Sequence, residues 1–146
     1  MLACFDVAAY ILQKQGPMTA MKLQKLVYYC QAWSLVWDEA PLFQEDIEAW
    51  ANGPIVRDLF YVHKGRYMVS DIPDGDHGKL DTTQEETVQA VLGYYGDKSS
   101  QWLSDLTHME GPWKSTRAGL PEMSRSDRVI PLDVIADYYI GLQEDK

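Results

Sequence analysis

Lys22-Leu23-Gln24-Lys25-Leu26-Val27-Tyr28-Tyr29, running on through Cys30, Ala32, Trp33, Ser34 and Val36 to Trp37, is the stretch on which the fold turns. Leu23, Leu26, Val27, Cys30, Ser34 and Trp37 follow the i, i+3, i+4, i+7 spacing of a helix, and Tyr29, Ala32, Trp33 and Val36 fill a second face. A helix apolar over most of its circumference belongs at the centre of a domain. Thr19 stands where its hydroxyl can accept an orphan backbone N–H of the first turn. Lys22, Gln24 and Lys25 read as an ordinary solvated face near the helix start or as a binding patch.

Working outward, Val7, Ala8, Ile11 and Leu12 suit a first amphipathic helix, closed by Gly16-Pro17 because proline disfavours helix in the residue before it. Beyond the central helix, Asp38 to Pro41 breaks the pattern, and Leu42 to Trp50 admits either a short strand or a helical turn. Asn52-Gly53 reads as a turn and Pro54 as the first position of a helix that turns Ile55, Leu59, Phe60 and Val62 inward and ends at Gly65. Pro73, Gly75 and Gly78 mark residues 66–81 as a loop. Thr82 with Glu85, or Thr83 with Glu86, supplies a capping box for a helix carrying Val88, Val91, Leu92 and Tyr95, with Gly96 past its end. Ser99 or Ser100 caps the next, which buries Trp102, Leu103 and Leu106 and stops at Gly111-Pro112. After a polar connection over 114–128, Pro131 opens a final helix with Val134, Ile135, Tyr138, Tyr139 and Leu142 on its apolar side. The pattern predicts a mainly α fold, a single compact helical domain of about six helices spanning 1–146, with room for a small two- or three-stranded sheet.

The formal net charge of −9 argues against nucleic acid or an anionic membrane as partner, because phosphate neutralisation requires a local excess of lysine and arginine. A basic protein partner fits that charge, although acidity also serves solubility alone. Cys4 and Cys30, each inside an apolar helical pattern, read as buried reduced thiols. Asp6 interrupts the first apolar stretch, no basic residue precedes Lys14, and no run approaches the ~18 apolar residues of a membrane span. The expected location is cytoplasmic.

The three histidines, His63, His77 and His108, lack metal-ligand spacing, and His108 and Glu110, two apart, do not share a helical face. No glycine-rich phosphate loop is present. Ser104 and His108, at i and i+4, imitate a nucleophile and base but lack the strand-to-helix elbow that exposes a catalytic serine. The expectation is a protein that is not an enzyme, with no cofactor and no metal. Around Thr107 to Arg117 two readings stand: a helix terminus in which His108 bonds free carbonyls and Trp113 packs beneath Pro112, or a polar-aromatic patch of His108, Trp113 and Arg117 for a partner. Trp50, Asn52, Gly53 and Pro54 pose the same choice between core and turn on one side and direct contact on the other.

Taken in order, the Lys22 to Tyr29 run with Gln31 and Trp33, Pro41-Leu42-Phe43, Ala49-Trp50-Ala51-Asn52-Gly53-Pro54-Ile55, and Thr107-His108 with Glu110, Pro112-Trp113 and Arg117 resemble the Panacea domain family, also known as SocA-like antitoxins and as GepA-like phage-associated proteins. The closing helix with Ile135, Tyr138 and Tyr139 extends the likeness to about Ile140. Thr116 stands where the family often has alanine. The resemblance implies an antitoxin that neutralises a cognate protein toxin by direct binding, in a toxin–antitoxin or prophage setting. Its alternative is a proteolytic adaptor that delivers its toxin to a host protease, or a phage-encoded host-interaction protein on the same scaffold. It also implies that Trp50, Asn52, Gly53, Pro54, His108, Glu110, Trp113 and Arg117 are the candidate partner-binding positions.

Overall fold

Every residue from 23 to 34 is buried, so the central helix α2 (Ala20–Trp37) has no solvent face along its middle. The computed structural model describes residues 1–144 and wraps the other elements around this helix. In chain order they are α1 (Cys4–Gln15), β1 (Met18–Thr19), α2, β2 (Ile47–Trp50), β3 (Gly53–Val56), α3 (Arg57–His63), β4 (Met68–Val69), a short 3-10 turn (His77–Lys79), α4 (Thr82–Tyr95), α5 (Ser100–Met109), α6 (Gly111–Thr116) and α7 (Leu132–Glu144). Helix α2 packs against α1, α4, α5, α7 and β3. The fold class is mainly α, with two small antiparallel sheets, β1 against β4 and β2 against β3.

A helix buried on all sides must satisfy its polar side chains internally, because each buried, unpaired polar group costs about 1–3 kcal/mol. Gln24 accepts from the Val56 amide at 2.9 Å and donates to the Val56 carbonyl at 3.2 Å, with His63 Nε2 at 3.0 Å from its amide nitrogen. Gln31 accepts from the Leu42 amide at 2.6 Å and donates to the Phe43 carbonyl at 3.0 Å. Trp33 donates to the Tyr95 hydroxyl, and Tyr29 to Glu110. The Thr19 cap forms as its sequence position predicts, its hydroxyl accepting from the Lys22 amide at 3.1 Å.

Several expectations are corrected. Gln24 and Lys25 are not on a solvated face: both are fully buried. Pro54 does not open a helix but lies in β3 opposite Ala49, and α3 starts at Arg57. The hairpin accommodates proline there, and the extended backbone buries Ile55 and Val56 from the strand. The cap of α4 is Asp81, whose carboxylate accepts from the Gln84 amide while the Gln84 side chain accepts from the Asp81 amide; aspartate outranks threonine at this position. Trp102 is exposed, because α5 turns Leu103 and Thr107 inward and the neighbouring position falls 100° away. Gly111-Pro112, besides ending α5, starts α6, a further helix whose end runs into what reads as a polar connection from 114. The 66–81 loop contains β4 and the 3-10 turn.

Candidate functional site

The hairpin of β2 and β3 carries two residues, Ala51 and Asn52, between Trp50 and Gly53, which pair across the strands. On its outer edge β2 is held by the segment before α7: the Ala49 amide donates to the Arg128 carbonyl and the Ile130 amide to the Ile47 carbonyl, each at 2.8 Å. Glu48 Oε1 accepts from the Trp50 indole at 2.9 Å and from Arg57 at 3.0 Å, pinning the Trp50 ring, which meets Phe60 edge-on at 5.0 Å.

Behind the hairpin three side chains form a stack. His108, in the last turn of α5, lies on the ring of Trp113 at 4.3 Å and 26°, and the Arg117 guanidinium sits 5.2 Å from the centre of that ring. The Trp113 indole donates to the Trp50 carbonyl at 2.7 Å, and Arg117 donates to the Ala49 carbonyl at 3.0 Å. Arg117 also reaches the carbonyls of Pro121, Glu122 and Ser124, the last at 2.8 Å. Arg117 is buried and joins the hairpin to the loop that follows α6. Burial and the nearby Lys25 push the His108 pKa below the usual histidine value, opposed by a hydrogen bond with the backbone of Asn52.

Beneath the turn lies Lys25, buried there and not on the solvated face that its place near the helix start suggests. Its Nζ has no hydrogen-bond partner among the described residues, and His108 Nε2 shares that condition. Burial lowers the Lys25 pKa to about 7. Lys25 approaches the turn so closely that a Cβ on Gly53 would lie 2.7 Å from its Cε and 3.2 Å from Thr107 Oγ1. Gly53 also holds φ at +119°, a conformation that side-chain-bearing residues rarely adopt. The position of Lys25 was legible in principle, since it falls four residues before Tyr29 and seven before Ala32, on the second apolar face of α2. Gly53→Ala is expected to destabilise by about 2–3 kcal/mol, from backbone strain plus displacement of a buried lysine stem. A urea melt measures it, and a loss below ~0.5 kcal/mol would show that the turn relaxes freely.

Of the eight candidate positions, Trp50, Asn52, Gly53, Pro54, His108, Trp113 and Arg117 come together around this hairpin. Asn52 is exposed at its tip, Trp50, His108 and Trp113 are half-buried, and Gly53, Pro54 and Arg117 are buried. Glu110 turns elsewhere, accepting from Tyr29 and Tyr139, each at 2.7 Å. The Ser104 hydroxyl reaches the Asn52 carbonyl at 3.5 Å instead of His108. Among the described residues no group of three or more histidine, cysteine, aspartate or glutamate side chains is arranged to hold a metal ion, and no helix is long and apolar enough to cross a membrane.

A family model described as antitoxin SocA-like, Panacea domain, matches residues 23–114. No curated protein and no solved structure matches the chain. The matched span runs from the first buried turn of α2 into α6 and takes in Lys25, the whole hairpin, His108, Glu110 and Trp113, while α1, Arg117 and α7 lie outside it. With well over half of its length covered, the chain belongs to the SocA-like antitoxin family of Panacea domains.

Proposed function

We propose that this protein is a cytoplasmic antitoxin that neutralises a cognate protein toxin by forming a direct complex, with the tip of the β2–β3 hairpin in the contact. The observation that carries this reading is the contrast between a tip locked from behind and the open surface beside it. Trp113, Arg117 and the 128–130 segment hold the hairpin backbone, and Asn52 projects from it into solvent. Next to the tip a cleft of about 300 Å³ is lined by Trp50, Asn52, Phe60, Lys64, Arg66 and Tyr67. Tyr67 is 80% exposed, and Tyr61 and Met68 are exposed as well. Exposed aromatics beside a rigid, pre-positioned element are the composition of an interface anchor, since little order remains to be imposed on binding.

On this reading Asn52, the open edge of Trp50 and Tyr67 meet the toxin. Gly53, Pro54, His108, Trp113 and Arg117 serve binding by holding the tip in place.

The test starts from a small adjacent open reading frame whose expression halts growth: co-expression should rescue growth and the two chains should co-purify. Tyr67→Glu is expected to change the melting temperature by no more than ~2 °C, as for surface substitutions generally. The same change should weaken the complex at least about tenfold by isothermal titration. A Tyr67→Glu protein that binds its toxin as tightly as the parent would move the interface to another face. Rescue that disappears in a strain lacking the main ATP-dependent proteases, with the complex intact, would replace neutralisation by delivery to a protease.

A further inference from the structure

A second hollow, of about 560 Å³, opens between α2, α4, α5 and α7, and its walls include Trp33, Trp37, Tyr94, Tyr95 and Tyr138 with Glu110 among them. The aromatic arrangement is ordered from within. Trp33 and Trp37, one helical turn apart, stack at 5.0 Å and 25°. Their indole N–H groups are engaged by the Tyr95 hydroxyl at 3.0 Å and by Gln143 at 2.8 Å, which leaves ring faces as what they offer a ligand. Trp37 and Tyr94 are exposed at the mouth.

Glu110 is 5% exposed, and both of its tyrosine donors, Tyr29 and Tyr139, bond the same oxygen, Oε1. The other oxygen, Oε2, receives neither bond. Among the described residues that line the hollow Glu110 is the one carboxylate, and no lysine or arginine accompanies it. Burial raises its pKa, as expected of an acid without a counter-ion. Aromatic faces around one buried acid form an environment that attracts a cation and disfavours an anion, since ring quadrupoles and carboxylate act with the same sign. A purely apolar occupant would seal off Oε2 without giving it a donor, the two tyrosine bonds both falling on Oε1. The volume exceeds what a guanidinium or ammonium head fills, and Met109 and Leu142 supply apolar wall for flanking residues.

We propose that this groove receives an arginine or lysine side chain presented by a protein partner, its cationic head at Glu110 Oε2 and its apolar neighbours on Trp37, Met109 and Leu142. The chain's own charge of −9 makes a basic protein partner the complementary occupant and a second copy of itself an unfavourable one. The proposal deepens the antitoxin reading by giving the chemistry of the partner's anchor, and its test requires neither the toxin nor rescue of growth.

The experiment follows the indole N–H resonances of Trp33 and Trp37 in the full-length protein during titration with acetyl-Leu-Arg-Leu-amide, and with the same peptide carrying neutral citrulline in place of arginine. The arginine peptide should shift both resonances saturably and bind at least about fivefold more tightly than its citrulline counterpart. Glu110→Gln keeps an oxygen for both tyrosine donors and should abolish that difference. Trp37→Ala, which removes a partly exposed ring, should weaken the arginine peptide about fivefold. Equal affinity of the two peptides, a difference that survives Glu110→Gln, an unchanged affinity in Trp37→Ala, or no saturable shift at millimolar peptide would each overturn the proposal. Shifts that track protein concentration without peptide would do the same, placing a second copy in the groove. Failure of these titrations alongside intact rescue would remove the groove and leave the antitoxin reading standing.

Discussion

Arg117→Ala is expected to lower stability by about 3–4 kcal/mol, a fall in melting temperature of about 10 °C for a domain of this size. One buried guanidinium donates to the carbonyls of Ala49, Pro121, Glu122 and Ser124, so its loss releases the loop after α6 from the β2 strand. Hydrogen bonds to a charged group contribute about 1.5–3 kcal/mol each, but four to a single group do not add. Pro121 and Glu122 are exposed, so water can recover part of the loss there, while Ala49 is buried. Arg117→Lys should recover only a fraction, since a point ammonium cannot span acceptors that a planar fork reaches together. Calorimetry measures both, and a fall below ~2 °C for Arg117→Ala would show that the clamp contributes little. Loss of toxin rescue in this variant would report on folding and carry no information about contact.

Stability is expected to climb with pH between about 7 and 9, at up to about 1.4 kcal/mol per pH unit from Lys25 alone. Burial lowers its pKa from the usual 10.5 to about 7, so in this interval the unfolded chain retains a proton that the folded chain has released. Raising the pH therefore favours the folded state. The cost of the buried ammonium is complete below pH 7 and is relieved progressively above it. Near pH 9 the gain is opposed, because burial pushes the Cys4 and Cys30 thiols up from 9.0 and the unfolded thiols then ionise first. His63 and His108, whose pKa values burial lowers from 6.5, give the same sign as Lys25 but in a more acidic range. Glu110, raised from 4.5 by burial, acts with the opposite sign as pH rises above that value. Lys25→Met isolates the amine: it should melt higher than the parent at pH 6–7 and show a flatter rise towards pH 9. Parallel curves for the two proteins would mean that Lys25 is not the group responsible.

Most of the helices are legible because their determinants are local, α6 and the start of α3 being the exceptions. The apolar spacing of α2, the Thr19 and Ser99 caps and the Pro131 start each involve residues within a turn or two of one another, and each forms as read. Pro54 reads as a helix start because proline satisfies both a first helical turn and a short hairpin, and the choice is made by pairing with Ala49 and by the hold of residues 128–130 on the far edge of β2. That segment lies some eighty positions downstream, beyond any periodicity. Arg117 shows the same limit for the site: its role as a clamp is visible only where the Ala49, Pro121, Glu122 and Ser124 carbonyls converge on it. Lys25 differs, since its place on the second apolar face of α2 is a local signal and only the glycine turn pressed against it is tertiary. The clustering of seven candidate positions at one hairpin could not be read from residues spread from Trp50 to Arg117 without that tertiary arrangement.

The glutamines of α2 have a consequence for how such a sequence can diverge. Gln24 and Gln31 are seven residues apart, close to two helical turns, and their side chains are fastened to backbone at Val56 and at Leu42 and Phe43. Inserting or deleting one residue between them would rotate one anchor by about 100° relative to the other and tear a connecting segment from its seat. The helix is thus intolerant of length change over its buried middle. A change of length is expected to be accommodated more readily within 66–81, where exposed residues predominate, than between Arg117 and Val129, where the Pro121, Glu122 and Ser124 carbonyls are held by Arg117.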